Sequence, residues 1–138
     1  MIHAKEYLQE IKTKREQLER FRDRRAKLHL DVSFGGIDYS ADRVQGTPQN
    51  KLENAMVRLS ERMEYLDRKI AELSVDIDDR LNSIESLDNK KYQEVLYKRY
   101  AEYKSFEEIS VEMVYVYNYT CNLHGEALKE LEKHLNFS

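Results

Sequence analysis

Tyr117, Asn118, Cys121 and Asn122 stand at spacings that share one face of a helix. Asparagine pairs bidentately with the N6/N7 edge of adenine, and a tyrosine beside it supplies a stacking ring and a hydroxyl. A helix exposing these four side chains can therefore read DNA bases. Phosphates would fall to Lys90, Lys91, Lys98, Arg99 and Lys104, which precede that stretch. The competing readings are a solvated lysine face and a helix whose role is structural or protein-binding.

Other reactive residue types find no partners at useful spacing. Cys121 and His124 lie three residues apart, but nothing nearby supplies the lowered pKa that a thiol nucleophile needs. His124 has no second His or Cys at metal-ligand spacing, so the expectation is a partly buried polar residue beside Gly125. Asp76, Asp78 and Asp79 point in different directions on a helix, without a glycine-containing loop, and read as a solvated acidic face. The glycine pairs lack a phosphate-loop context. No catalytic set, metal site or cofactor is expected.

The elements that must hold these residues are helical. Ile109 and Met113 lie four apart on one helix, with the small Ser110 where two helices meet. Thr120, Leu123, Ala127, Leu128 and Leu131 form the inner face of a second. Ser105 with Glu108 is a capping-box signature, and Tyr92, Val95, Leu96 and Tyr100 give a preceding helix its buried face. Together they fit a helix-turn-helix domain over 89–138, whose second helix would lie in a DNA groove. The run Val114–Thr120, taken alone, also has strand-like alternation.

Upstream, 1–88 reads as a long helical hairpin or coiled coil. Over 3–30, Tyr7, Ile11, Leu18, Phe21 and Leu28 mark a seam broken by Lys14 and Arg25. From 51 to 87, Met56, Met63, Ile70, Ile77 and Ile84 repeat every seven residues, interleaved with Leu52, Leu59, Leu66, Leu73 and Leu87. Arg80 is the polar intruder. A helix that long spans roughly 55 Å at 1.5 Å per residue, and its stripe needs cover: the first helix folded back, a second copy of the chain, or both. Residues 31–50 break the pattern. Gly35-Gly36 and Gly46-Thr47-Pro48 signal turns, with Thr47 a cap and Pro48 at the first helical position. Asp42-Arg43-Val44-Gln45 either docks on the hairpin or touches a partner. Asp88 or Asn89 restarts the chain as a cap.

Composition bounds the rest. The 138 residues carry 36% charged side chains, four glycines, one proline and one cysteine; the mean hydropathy is −0.81. A net charge of −3 argues against a general polyanion binder. It is unevenly spread: 5–27 holds nine Lys and Arg against five acids, 51–88 six against ten. A single cysteine excludes an internal disulfide and fits a reducing compartment. No apolar run approaches the roughly 18 residues of a membrane span, and Met1-Ile2-His3-Ala4-Lys5-Glu6 lacks the apolar segment of a signal peptide. A soluble protein of the bacterial cytoplasm is expected.

The stretch Val95-Leu96-Tyr97-Lys98-Arg99-Tyr100, Phe106-Glu107-Glu108-Ile109 and His124-Gly125-Glu126-Ala127-Leu128 resembles region 4 of bacterial sigma factors. The whole chain resembles small phage late-gene regulators of the RinA and ArpU-like type. The resemblance runs through Ala4-Lys5-Glu6-Tyr7-Leu8, Asp42-Arg43-Val44-Gln45, Lys51-Leu52-Glu53 and the C-terminal domain. It implies a prophage-encoded regulator of late genes acting on double-stranded DNA, beside RNA polymerase, while the heptad stripe, independently, leads to the expectation of an all-α homodimer. The chain departs from that pattern with Val114 at the turn, Val116 at the cap, and Asn118, Asn122 and Glu126 where relatives tend to carry arginine. A different class, a coiled-coil assembly or DNA-packaging component, is the competing expectation.

Overall fold

The computed structural model describes residues 1–33 and 48–137, with side chains described for 1–29 and 49–137. Five helices follow one another: α1 (Ala4–Ser33), α2 (Pro48–Glu85), α3 (Lys90–Tyr100), α4 (Phe106–Met113) and α5 (Tyr117–Phe137). No strand occurs among the described residues, so the alternation in Val114–Thr120 yields to helix formation from Tyr117 on. Residues 31–33 and 48–50, expected within the loop, are helical instead, since α1 runs to Ser33 and α2 starts on Pro48. The fixed φ of proline suits that first helical position. Thr47 and Asp42-Arg43-Val44-Gln45 lie outside the described residues.

The chain divides into two compact units, one of Met1–Arg15 with Val75–Ser138, the other of Glu16–Ser74. In the first, α3, α4 and α5 pack pairwise against one another. The shared core is Val95, Leu96 and Tyr100 from α3, Ile109 from α4, and Leu123, Ala127 and Leu131 from α5, all buried. Two small hydroxyls are buried with them and bond to their own helices: Ser110 Oγ donates to Glu107 O (2.7 Å) and Thr120 Oγ1 to Val116 O (3.1 Å). No unpaired hydroxyl is therefore left between the helices. Met113, Leu128 and Tyr92, expected on the same faces, are half-buried.

The helix ends follow local chemistry. Asn89 caps α3, its Oδ1 accepting from Lys91 N (2.9 Å) and Tyr92 N (3.4 Å). Ser105 caps α4: its Oγ accepts from Glu108 N and donates to Glu108 Oε1, both at 3.2 Å. Gln93 Nε2 donates to the carbonyls of Glu85 and Leu87, satisfying acceptors at the end of α2.

In this unit α1 and α2 run antiparallel, and the first seam differs from the expected one. Ala4, Leu8 and Ile11 are buried, whereas Tyr7 is half-buried. Tyr7 covers Arg80 instead, its ring centroid 4.4 Å from the guanidinium. Arg80, only 13% exposed, also bonds Tyr7 O (2.8 Å), Glu10 (3.0 Å) and Asp76 (3.1 Å). Lys14 reaches the other oxygen of Asp76 at 2.7 Å. Asp76 is thus not part of a merely solvated acidic face. The Lys14 hydrogen bond, joined by Arg80, holds its carboxyl below the usual range against the opposing effect of burial. Asp78 and Asp79 are exposed, as expected.

In the second unit, Leu18, Leu28, Ala55 and Leu66 are buried, while Leu59, Met63, Ile70, Leu73 and Phe21 are half-buried. Phe21 meets Tyr65 edge-on at 6.4 Å, and Arg25 Nε donates to Asp67 at 2.8 Å. The polar break at Arg25 is therefore an ion pair across the helices. The α2 stripe continues into the first unit with buried Ile77 and Ile84, joined by Leu87 just beyond the helix. Its other end is uncovered, Leu52 being 37% and Met56 55% exposed.

Three backbone positions carry residues mismatched to their conformation: Tyr103, left-handed at φ 58°, Val114 and Gly125. Val114 ends α4 in the left-handed region (φ 58°) although its β-branched side chain is 85% exposed and gains no packing there. Gly125 sits inside α5, and a Cβ built on it meets nothing within 4 Å. Left-handed backbone costs an L-residue about 1–2 kcal/mol, and helical glycine costs about 0.5–1 kcal/mol relative to alanine. Val114→Gly and Gly125→Ala should each raise stability by about 0.5–1 kcal/mol, read as a higher urea midpoint at unchanged slope. A lowered midpoint for either variant would refute the corresponding assignment.

Candidate functional site

The link between α4 and α5 is three residues long, and Val114 N–H and Tyr115 N–H turn back to carbonyls of α4. Because Thr120, Leu123 and Ala127 face inward, the first turns of α5 must present the opposite side. Tyr117, Asn118 and Asn122 are exposed there, with Tyr119 beside them. Cys121 is half-buried. The Tyr117 hydroxyl is held above its ordinary range, first by a hydrogen bond with Cys121 and then by the charge of that neighbour. Three of the four expected base readers are thus exposed, and the fourth is half-buried.

The expected phosphate contacts are not brought together. Lys90 and Lys91 stand exposed at the start of α3, without a carboxylate partner among the described residues. Lys91 Nζ lies 5.8 Å from the ring centroid of Tyr115, in the α4–α5 link. At the other end of α3, Lys98 is 3.5 Å from Glu112, and Lys104 is 2.5 Å from Glu112 and 2.7 Å from Glu102. Those bonds, to Glu102 foremost, push the Lys104 ammonium well above its usual range, while Lys104 lowers the carboxyl of Glu112. Such exposed pairs contribute little to stability, yet they neutralise the cations locally. Arg99 turns away altogether: Nη1 donates to Lys104 O at 2.9 Å, and the guanidinium lies 4.4 Å from the Phe106 ring centroid.

Arg99 belongs to a cavity of about 540 Å³ that the sequence reading missed. Lys5, Leu8, Gln9 and Lys12 of α1 line it, with Arg99, Tyr100, Tyr103, Phe106, Cys121 and His124. The spacing of Lys5, Gln9 and Lys12 does place them on one face of α1. That they face residues about ninety positions later is a tertiary fact. Arg15 fastens this side, its Nη1 donating to Ala101 O (2.7 Å) and to the Tyr103 hydroxyl (3.2 Å). Lys12 and Arg15 lie 5.8 and 5.7 Å from the Tyr103 ring centroid.

His124 forms the cavity floor with Tyr100. Nε2 and the Tyr100 hydroxyl share a hydrogen bond of 2.8 Å, the two rings stack at 5.7 Å, and Phe106 meets the imidazole edge-on at 4.8 Å. Burial first, then the charges of Arg99 and Lys5, lowers the His124 pKa to about 4. The imidazole is therefore a neutral, partly buried ring, as its sequence context suggested, and no hydrogen bond links it to Cys121 among the described residues. Burial also raises the Tyr100 hydroxyl.

A histidine whose folded pKa lies below its unfolded value of 6.5 binds its proton more readily in the unfolded chain. Its neutral packing supports the fold fully above pH 6.5, and that support drains as pH falls toward about 4. The loss should reach on the order of 3 kcal/mol, at about 1.36 kcal/mol per pKa unit. His124→Phe keeps an aromatic ring there and should flatten the unfolding free-energy profile over that window. Parallel wild-type and variant profiles would contradict the assignment.

No family model, curated protein or solved structure matches this chain.

Proposed function

We propose that α4 and α5 act as a helix-turn-helix that lays the first turns of α5 on double-stranded DNA. In this reading the chain is an oligomeric transcriptional regulator of the phage late-gene type. The supporting observation is the outward face of Tyr117, Asn118 and Asn122, which starts after a three-residue link and stands on a buried inner face. The asparagines suit adenine, and the N-terminal end of α5 favours a phosphate nearby. Lys90 and Lys91 contribute cations without carboxylate partners. The exposed Leu52 and Met56 end of the α2 stripe offers a coiled-coil seam to a second copy, and two weak reading heads on one duplex gain by avidity. The late-gene assignment itself rests on the family resemblance.

A second reading has its own observation. Val111 and Val116 flank the same face at 77% and 74% exposure, with Val114 between them. An apolar rim suits a protein surface better than a phosphate backbone. On that reading the chain docks on RNA polymerase alone or is an assembly or DNA-packaging component.

A mobility-shift titration of the full chain on fragments upstream of late genes, at low and moderate salt, separates the two. Shifts are expected at low salt; their absence there would sink the DNA reading. Asn118→Ala should reduce base preference by about 1–3 kcal/mol. Lys91→Ala should weaken all sequences alike and flatten the salt slope by about one. Glu112→Gln frees Lys98, while Lys104 keeps Glu102, so it should tighten binding and steepen the slope; unchanged binding would remove Lys98 from the interface.

A further inference from the structure

We propose that the cavity between the start of α1 and the α3–α4–α5 helices binds a small anion carrying a flat heterocycle, a nucleoside monophosphate in size and chemistry. This inference does not depend on DNA binding. The volume, about 540 Å³, lies within the range of small-molecule sites. Three cations line it, Lys5, Lys12 and Arg99, and no Asp or Glu does. That is unusual for a chain with 26 acidic against 23 basic residues. Elsewhere in the same unit Lys14, Arg80, Lys98 and Lys104 all lie against carboxylates. Lys5, Lys12 and Arg99 have no carboxylate partner among the described residues. Their positive field converges on the cavity unneutralised, and an anion entering it meets no opposing charge.

The walls specify the remainder of the ligand. Tyr100, Tyr103, Phe106 and His124 bring four rings to one lining, with Leu8 completing the apolar part. Rings of this kind hold a flat heterocycle by stacking, as single-stranded nucleic-acid sites hold bases. The Gln9 amide offers both a donor and an acceptor to a base edge. Inorganic phosphate would use the cations and leave the rings idle; a nucleoside would do the reverse. A nucleoside monophosphate uses both. The site is held open by contacts that precede any ligand, since Arg15 pins Ala101 O and the Tyr103 hydroxyl, and Arg99 braces the Lys104 carbonyl.

The test is calorimetric titration of the full chain with AMP, GMP, CMP and UMP at low salt, beside adenosine and inorganic phosphate. At least one mononucleotide should bind saturably at one per chain, with Kd below roughly 1 mM, and adenosine and phosphate each about tenfold weaker or more. Lys5 and Lys12 are exposed helix positions, so Lys5→Glu and Lys12→Glu should keep the circular dichroism spectrum of the fold. Each should weaken the mononucleotide about tenfold, while Lys129→Glu on exposed α5 surface should not. The proposal is overturned if no mononucleotide binds by 1 mM, if phosphate alone binds as tightly, or if the two α1 reversals change nothing.

Discussion

The buried inner face of α5 is the constraint on which the first unit depends. Leu123, Ala127 and Leu131 are sealed against Val95, Leu96 and Ile109. Full burial of each large aliphatic is worth roughly 1.5–3 kcal/mol, whereas a typical single hydrogen bond nets about 1 kcal/mol. This packing therefore fixes the rotation of α5, and other features follow from it. Tyr117, Asn118 and Asn122 face outward because Thr120 and Leu123 face inward. His124, one residue beyond Leu123, lands under Tyr100. At the far end of the helix, Glu132 and Asn136 receive the start of the chain through the backbone N–H groups of Ala4 and Ile2.

Charge in this unit serves internal geometry more than display. Arg15, Arg80 and Arg99 each donate to a main-chain carbonyl, of Ala101, Tyr7 and Lys104. A guanidinium can satisfy a carbonyl and still lie over a ring, as Arg80 does on Tyr7 and Arg99 on Phe106. The consequence for polyanion binding is direct. Of the five basic side chains that the sequence offers to phosphates, Lys98 and Lys104 are neutralised by Glu112 and Glu102, and Arg99 is structural. The cations left over sit at the start of α3 and around the cavity.

Helix content and caps were legible in sequence because they are local. Asn89 and Ser105 cap where their side chains can reach the next free N–H groups, and Ile109, Thr120, Leu123 and Leu131 bury as their spacing requires. The first seam was read less well. Tyr7 looked like a seam residue, yet Ala4 and Leu8 take the buried places, because Tyr7 serves better as a lid on Arg80. Arg80 itself looked like an interruption of the heptads. Its role depends on Glu10, Tyr7 and Asp76 converging, which no spacing within α2 encodes. The cavity was illegible for the same reason: four of its lining residues come from 5–12 and six from 99–124.

Cys121 joins the two surfaces of α5. Its half-buried side chain lines the cavity and lies one helical turn from Tyr117, the first member of the outward face, whose hydroxyl it helps to hold above its ordinary range. His124, one turn further along the same helix, contributes the cavity floor. The outward face and the cavity are thus two sides of one rigid element, separated by a single side chain.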